Sequence, residues 1–388
     1  MPVSSFNLLL KPVGPSCNLD CAYCYYLGKE ALFPHPNRRI DETLARRIVK
    51  DYIQSVDTEE VYFYWHGGEP LLMGLPFYEK VVAWQAEFSN GKIIRNNLQT
   101  NGTLLTDQWG DFMARHAFLV GVSVDGPSFV HDRYRKDRGG SPTLSRVLQG
   151  IACLQRTGVK WNTITTVNKA SEGHGREVYR FLKSVGSHYM QFIPVLEYIV
   201  PEKDGGRPRL VPPSKGIGTL APWSVDAVAF GQFMCDIFDT WKEDGDIGSF
   251  FVDAFDAALA AWCHYPPASC IHARTCGTNP VVEFNGDVFL CDHFVYPEFQ
   301  IGSILQGNLR DMMNSLQSFS FGQNKTASLP SACRKCPYLF ACNGGCPKHR
   351  FGKTSDNEPG LNALCDGYRY FFRHIESDME QMKSVLLR

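Results

Sequence analysis

CNLDCAYC, residues 17–24, places three thiols within eight residues. Two cysteines make a disulfide and four close a tetrahedral zinc site. Three, at spacings of four and then three residues, fit neither purpose. A cubane cluster has four irons, and closed clusters take four cysteine thiolates. Cys17, Cys21 and Cys24 would leave one iron without a protein ligand. Such an open position separates a reactive metal site from a structural one. A glycine-rich segment further on, HGGEP (66–70), lets backbone approach a small molecule closely.

The other cysteines are unevenly spread. Of 14 in 388 residues, only Cys153, Cys235 and Cys263 occupy the long middle. Eight crowd the last third: Cys270, Cys276, Cys291, Cys333, Cys336, Cys342, Cys346 and Cys365. The start, MPVSSFNLLLKPVG, has no basic n-region and only a four-residue apolar run, so it is not a secretory signal. No window approaches the ~18–20 apolar residues of a membrane span. A soluble cytoplasmic protein is expected, and the cytosol keeps thiols reduced. Clusters at two ends of a cysteine-poor body therefore read as metal sites. The formal net charge of −1 recruits neither nucleic acid nor an anionic membrane surface.

Something must position these groups. Between residues 6 and 197, β-rich runs alternate with helical patterns. The strands are expected at FNLLLKP (6–12), VYFYWHG (61–67), IIRNNLQT (93–100), FLVGVSVD (118–125), VKWNTITTV (159–167) and YMQFIPVLE (189–197). DETLARRIVKDYIQSV reads as a helix, with Asp41 as N-cap and Leu44, Ile48 and Tyr52 one turn apart. LPFYEKVVAWQAEF (75–88) is a second. Six βα units predict an open or partial barrel with its active site at the C-terminal ends of the strands. The cysteine triplet, HGGEP, QTNGT (99–103) and SVDGP (123–127) follow the first four strands in turn, and Pro194 to Glu197 end the sixth. All fall on one rim.

Residues 198–224, rich in Pro, Gly and charge, read as a long loop. Helical patterns return at 225–243 and 249–263. VVEFNGDVFLC predicts a hairpin with a type I′ turn at Asn285-Gly286, and the chain closes on a surface helix.

CxxxCxxC after the first strand, Tyr23 before its last cysteine and HGGEP after the second strand resemble the radical S-adenosylmethionine superfamily. There S-adenosylmethionine occupies the open iron. CxxC-x5-CxxxC followed by Cys365 resembles the SPASM/twitch-type C-terminal extension with two more [4Fe–4S] clusters. The resemblance assigns Cys270, Cys276, Cys291 and Cys346 to the nearer cluster, and Cys333, Cys336, Cys342 and Cys365 to the farther one. Three clusters use eleven cysteines. The implied fold is α/β, a partial (β/α)6 TIM-like barrel with a cysteine-rich SPASM domain. Its expected divisions are a barrel over 1–224, a helical linker region over 225–264, the SPASM domain over 265–366 and a C-terminal helix over 367–388.

KPVGPSCNLDCAYCYY, HGGEP, LQTNGTLL, VGVSVDGP, QFIPVLE, GDVFLCDHFV and CNGGCPKHRF most resemble the anaerobic sulfatase-maturating enzymes, nearly end to end. These oxidise a Ser or Cys of a sulfatase to formylglycine, using a 5′-deoxyadenosyl radical to remove a Cβ hydrogen. Carried over by position, Tyr23, Gly68, Ser123, Arg135 and Leu196 would contact S-adenosylmethionine, and Asp292 would be the catalytic base. The implied partners are a sulfatase polypeptide and a reductant such as flavodoxin or ferredoxin.

Bland readings stand beside these assignments. An Asp after a strand is commonly a turn or cap residue. Arg135 lies in DRYRKDR, a run typical of a solvated face. Ser123 could be an ordinary strand-end residue, and His66 has no assigned role. Cys153, Cys235 and Cys263 read as plain buried residues. Two other functions compete. One is a SPASM enzyme that crosslinks or epimerises a ribosomal peptide, which the sixteen residues before Cys17 disfavour by leaving no room for a leader-binding domain. The other is a zinc-stabilised binding protein without catalysis.

Overall fold

The computed structural model describes residues 5–33, 38–201, 208–211 and 218–387. It is an α/β fold with a mostly parallel central sheet. From the start of the chain, β1 (Leu8–Lys11), α1 (Glu42–Ser55), β2 (Glu60–Trp65), α2 (Leu75–Phe88), β3 (Ile93–Thr100), α3 (Asp107–Arg115) and β4 (Leu119–Ser123) alternate. Next come α4 (Ser128–Tyr134), α5 (Leu144–Thr157), β5 (Lys160–Val167), α6 (Gly175–Ser184) and β6 (Tyr189–Pro194). All six expected strands are present. Asp41 caps α1 as its sequence predicts, accepting the Leu44 N–H at 2.9 Å.

The stretch read as one long loop holds three short strands, β7 (Tyr198–Val200), β8 (Arg209–Val211) and β9 (Thr219–Leu220). They pair antiparallel in the order β8-β7-β9. Runs of two or three residues are too brief for alternation to register, so Pro and Gly dominated the reading. Residues 202–207 and 212–217 of that stretch lie outside the described residues. Then follow α7 (Ala227–Glu243), β10 (Phe251–Val252), α8 (Asp253–Trp262), β11 (Val281–Glu283), β12 (Asp287–Phe289) and β13 (Gln300–Ser303). The rest is α9 (Leu309–Met313), α10 (Leu316–Ala327), α11 (Ser331–Arg334), α12 (Leu339–Cys342), the pair β14 (Gly352–Lys353) and β15 (Pro359–Leu361), and α13 (Cys365–Leu386). The last helix begins at Cys365 itself.

The β11–β12 hairpin exists, but its turn is not type I′. Gly286 donates its N–H to the Glu283 carbonyl at 2.8 Å, and of Asn285 and Gly286 only the glycine has positive φ. A type I′ turn needs positive φ at both central residues. Here Phe284 joins the turn and Gly286 follows it in the left-handed region, which makes a three-residue loop.

Two compact units divide the chain. The first comprises 1–123, 136–161 and 277–322, with strands in the order β4-β3-β2-β1-β11-β12-β13. β1 pairs in parallel with β2 and with β11, and Lys11 is the register partner of Glu283. Leu8, Leu10, Phe63 and Trp65 are buried there, each worth about 1.5–3 kcal/mol over exposure for side chains of this kind. The second unit comprises 124–135, 162–276 and 323–388. It contains the parallel strands β10-β6-β5 and the three-stranded β7–β9 sheet. Among the described residues no helix is long and apolar enough to cross a membrane.

Candidate active site

In the first unit the cysteine triplet occupies the loop after β1. Neighbouring strand ends tie that loop down. Asn101, just beyond β3, donates to the Asn18 side chain at 2.8 Å, and Asn18 donates to Thr103 at 2.8 Å. Arg138 holds the Cys17 carbonyl at 2.8 Å. The Leu19 N–H (3.4 Å) and the Asn101 amide (3.7 Å) both point donors at Cys17 Sγ. Burial, followed by the charge of Glu69, pushes the Cys17 thiol up to about 12. Donors aimed at a thiol that resists ionisation are the setting in which a bound cation would deprotonate it.

The HGGEP loop presses on the same segment. Gly68 donates to the Gly14 carbonyl (2.8 Å) and Glu69 to that of Ser16 (2.9 Å). A Cβ on Gly68 would lie 1.9 Å from the Ser16 oxygen, so only glycine fits. Glu69 is fully buried. Its carboxylate accepts from Leu71 N–H (3.0 Å), Asn101 N–H (2.8 Å) and the Thr100 hydroxyl (2.9 Å), which joins the ends of β2 and β3. Burial still pushes its carboxyl up to about 7.

Asp292 opens a short 3-10 turn immediately after Cys291. Lys11 forms an ion pair with it, and the Tyr25 hydroxyl donates to its other oxygen. Burial raises its carboxyl, but Lys11, His66 and His293 outweigh burial and hold it well below the usual carboxylate range. His66 is itself pushed down, mainly by burial, with the Asp292 charge opposing that shift. Its Nδ1 accepts the Gly67 N–H at 2.8 Å. Behind Lys11, Tyr26 donates to Glu283 at 2.6 Å, and the Lys11 ammonium lies 3.4 Å from the Tyr26 ring centre. Sequence reasoning named Asp292 but missed Lys11 and Tyr25. The available signal was a lysine ending the apolar run LLLK, because a charge buried on a strand needs a partner.

The other expected contacts with S-adenosylmethionine fall as follows. Tyr23 is buried in the cysteine loop, and Ser123 ends β4 with its hydroxyl accepting from Gln99 at 3.0 Å. Arg135 and Leu196 belong to the second unit. Both are buried, so Arg135 is not on a solvated face. Its Nε lies 3.0 Å from Asp125, whose carboxylate also accepts the Thr166 N–H and hydroxyl. Leu196 follows β6, three per cent exposed.

The second unit gathers the remaining cysteines apart from Cys153 and Cys291, which belong to the first. Cys333, Cys336, Cys342 and Cys365 line a cavity of about 490 Å³ with Tyr338, Tyr368 and Arg369. Burial pushes the Cys342 thiol up to about 12 and that of Cys365 to about 11. Cys270, Cys276 and Cys346 form a separate, electrostatically coupled set. Among the described residues no three His, Cys, Asp or Glu side chains converge tightly enough for a single metal ion. Four thiols around a cavity of that size instead suit a compact multi-iron group. Cys153 and Cys235 are buried on α5 and α7, as expected for plain core thiols. Cys263, at the end of α8, is only half-buried.

This arrangement has known counterparts. Residues 12–182 match the Radical SAM superfamily, and residues 273–337 match an iron–sulfur cluster-binding domain, SPASM. The class is thus a radical S-adenosylmethionine protein with a SPASM extension. A serine-type anaerobic sulfatase-maturating enzyme of Bacteroides thetaiotaomicron is 44% identical over 98% of this chain and 92% of its own. A cysteine-type enzyme of Clostridium perfringens is 30% identical over 95% of each. A structure described as native anSMEcpe with bound AdoMet and Cp18Cys peptide superposes with a TM-score of 0.85 at 28% identity. That match covers 98% of this chain and 99% of the other. The chain belongs to the anaerobic sulfatase-maturating enzymes.

Proposed function

We propose that this enzyme oxidises a serine side chain in a sulfatase polypeptide to formylglycine, with cysteine as a second substrate. The observation that carries the reading is Asp292, kept ionised by Lys11 directly after Cys291. The preference for serine rests on the greater similarity to the serine-type relative.

When bound, S-adenosylmethionine and the clusters supply a 5′-deoxyadenosyl radical and a sink for one electron. Cys17, Cys21 and Cys24 would hold the first cluster. Cys270, Cys276, Cys291 and Cys346 would hold the second, and Cys333, Cys336, Cys342 and Cys365 the third. Tyr23, Gly68, Ser123, Arg135 and Leu196 would position S-adenosylmethionine. The oxidation removes two hydrogens from –CH2OH. One leaves Cβ as a hydrogen atom, and the hydroxyl proton goes to Asp292 as one electron departs. A carboxylate held in its basic form is ready for that proton, and the hydroxyl of a carbon radical is far more acidic than that of serine. Lys11 and Tyr25 orient the carboxylate and His66 flanks it. A flavodoxin or ferredoxin donor and a cytoplasmic setting complete the reading.

The test is anaerobic incubation of reconstituted protein with S-adenosylmethionine, reductant and sulfatase-motif peptides carrying Ser or Cys. Mass spectrometry should find the aldehyde, faster from the Ser peptide. Formation of 5′-deoxyadenosine with no aldehyde from either peptide would overturn the proposal.

A further inference from the structure

Lys325, near the end of α10, is one per cent exposed, and no role above uses it. Its ammonium donates to the carbonyls of Cys270 (2.6 Å), Ile271 (2.8 Å) and Ala273. The other two carbonyls of that loop are taken as well. The Asn343 amide donates to His272 at 2.7 Å, and the Thr326 hydroxyl donates to Arg274. Side chains from three residues elsewhere in the same unit thus hold every carbonyl from 270 to 274.

Three acceptors around one nitrogen require three N–H donors. A neutral amine offers only two, so this geometry calls for the ammonium form. A buried ammonium is costly unless negative charge lies close. Burial works against the ammonium, and Cys276, Cys270 and Cys346, once ionised, oppose that penalty. Arg350 fixes the arrangement from behind. Its guanidinium donates to the carbonyls of Lys325, Asn343 (2.9 Å) and Gly344 (3.0 Å). A Cβ on Gly344 would lie 2.6 Å from Arg350 Nη2 and 2.3 Å from Leu329, so the CNGGC turn wraps the arginine closely.

We infer that Lys325 is the fixed counter-charge of the iron–sulfur group held by Cys270, Cys276 and Cys346. It shapes the ligand loop and favours the state carrying one more electron. The inference rests on the iron–sulfur reading above. In the oxidation the electron leaves the substrate carbon radical, the proton goes to Asp292, and the nearby cation makes the electron's arrival more favourable. Lys325 touches neither substrate nor reacting atoms and is a positioning residue.

The full chain, reconstituted anaerobically as parent, Lys325→Met and Lys325→Arg, is analysed for iron and titrated against potential by EPR. Added S-adenosylmethionine marks the signal of the first cluster and sets it apart. The Met variant should be reduced at an auxiliary cluster with an equilibrium constant at least tenfold smaller, a midpoint lower by about 59 mV or more. The Arg variant should stay near the parent. If the Met variant instead loses about four irons while the Arg variant keeps them, the charge is needed to hold the site, and the inference stands. Parent potential and parent iron in the Met variant would overturn it, as would equal changes in both variants. A parent without auxiliary iron would overturn the iron–sulfur reading itself, a distinct failure.

Discussion

Lys11 at the end of β1 forms an ion pair with Asp292, and Tyr25 donates to the same carboxylate. The pair depends on register: Lys11 and Glu283 are partners across β1 and β11, and the hairpin after Glu283 leads directly to Cys291 and Asp292.

Asp292→Asn keeps the size of the side chain and removes its basicity. Iron content and 5′-deoxyadenosine formation should match the parent, while formylglycine yield falls roughly 10²–10⁴-fold. Aldehyde at the parental rate would remove Asp292 from the mechanism. Lost iron would make it a support for Cys291 instead.

Lys11→Met removes the strongest influence opposing burial at Asp292, so the carboxyl should titrate at higher pH. A base works only when ionised, which moves the acidic limb of the pH–rate profile upward in the variant. The parent should stay flat through the mildly acidic range. Coincident profiles would show that Lys11 does not set the ionisation of Asp292.

Glu69 offers a stability test with the opposite sign. Its folded value of about 7 lies above the ordinary one for Glu, about 4.3. Its contribution is therefore full below the unfolded value and is lost as pH rises through the folded one. Glu69→Gln should be less stable than the parent, by a gap that narrows between about pH 5 and about pH 8. Anaerobic thermal unfolding measures this, and a gap that widens with pH contradicts the assignment.

Gly68→Ala drives a methyl into the Ser16 carbonyl oxygen. Overpacking of this kind costs about 1–3 kcal/mol, and here it displaces the cysteine loop. S-adenosylmethionine cleavage should drop sharply while the second unit's iron is retained. Parental cleavage would mean that the loop yields without cost.

Iron counts test the partition of cysteines. Reconstituted parent should carry about twelve irons, and replacing Cys17, Cys21 and Cys24 with Ala should leave about eight. Cys235→Ser, on a buried helical thiol, should leave the total unchanged. Zinc in place of iron after anaerobic purification would contradict the whole scheme.

The strands, α1 with its Asp41 cap and the close spacing of Cys17, Cys21 and Cys24 were legible because each rests on a short window, whereas the grouping of the later cysteines came from resemblance. β3 begins and ends where the sequence places it. The β7–β9 sheet escaped because its strands are too short to alternate visibly. The turn at Asn285-Gly286 was misread because Phe284 could join it without positive φ, which no dipeptide signal reveals. Tyr25 and Lys325 acquire their meaning only from partners far along the chain, so no local pattern could have marked Lys325 as different from a surface lysine.

The pairing of β1 with β11 also bears on synthesis. Tyr26 and Glu283 are separated by 257 residues, yet they share one hydrogen bond in the first unit. While the ribosome is still making the middle of the protein, β1 has only β2 beside it. Its other edge waits, apolar and open, for a strand not yet translated. Such edges invite pairing with foreign strands, and contacts this distant in sequence form slowly. Translation must therefore deliver most of the polypeptide before Asp292 can meet Lys11.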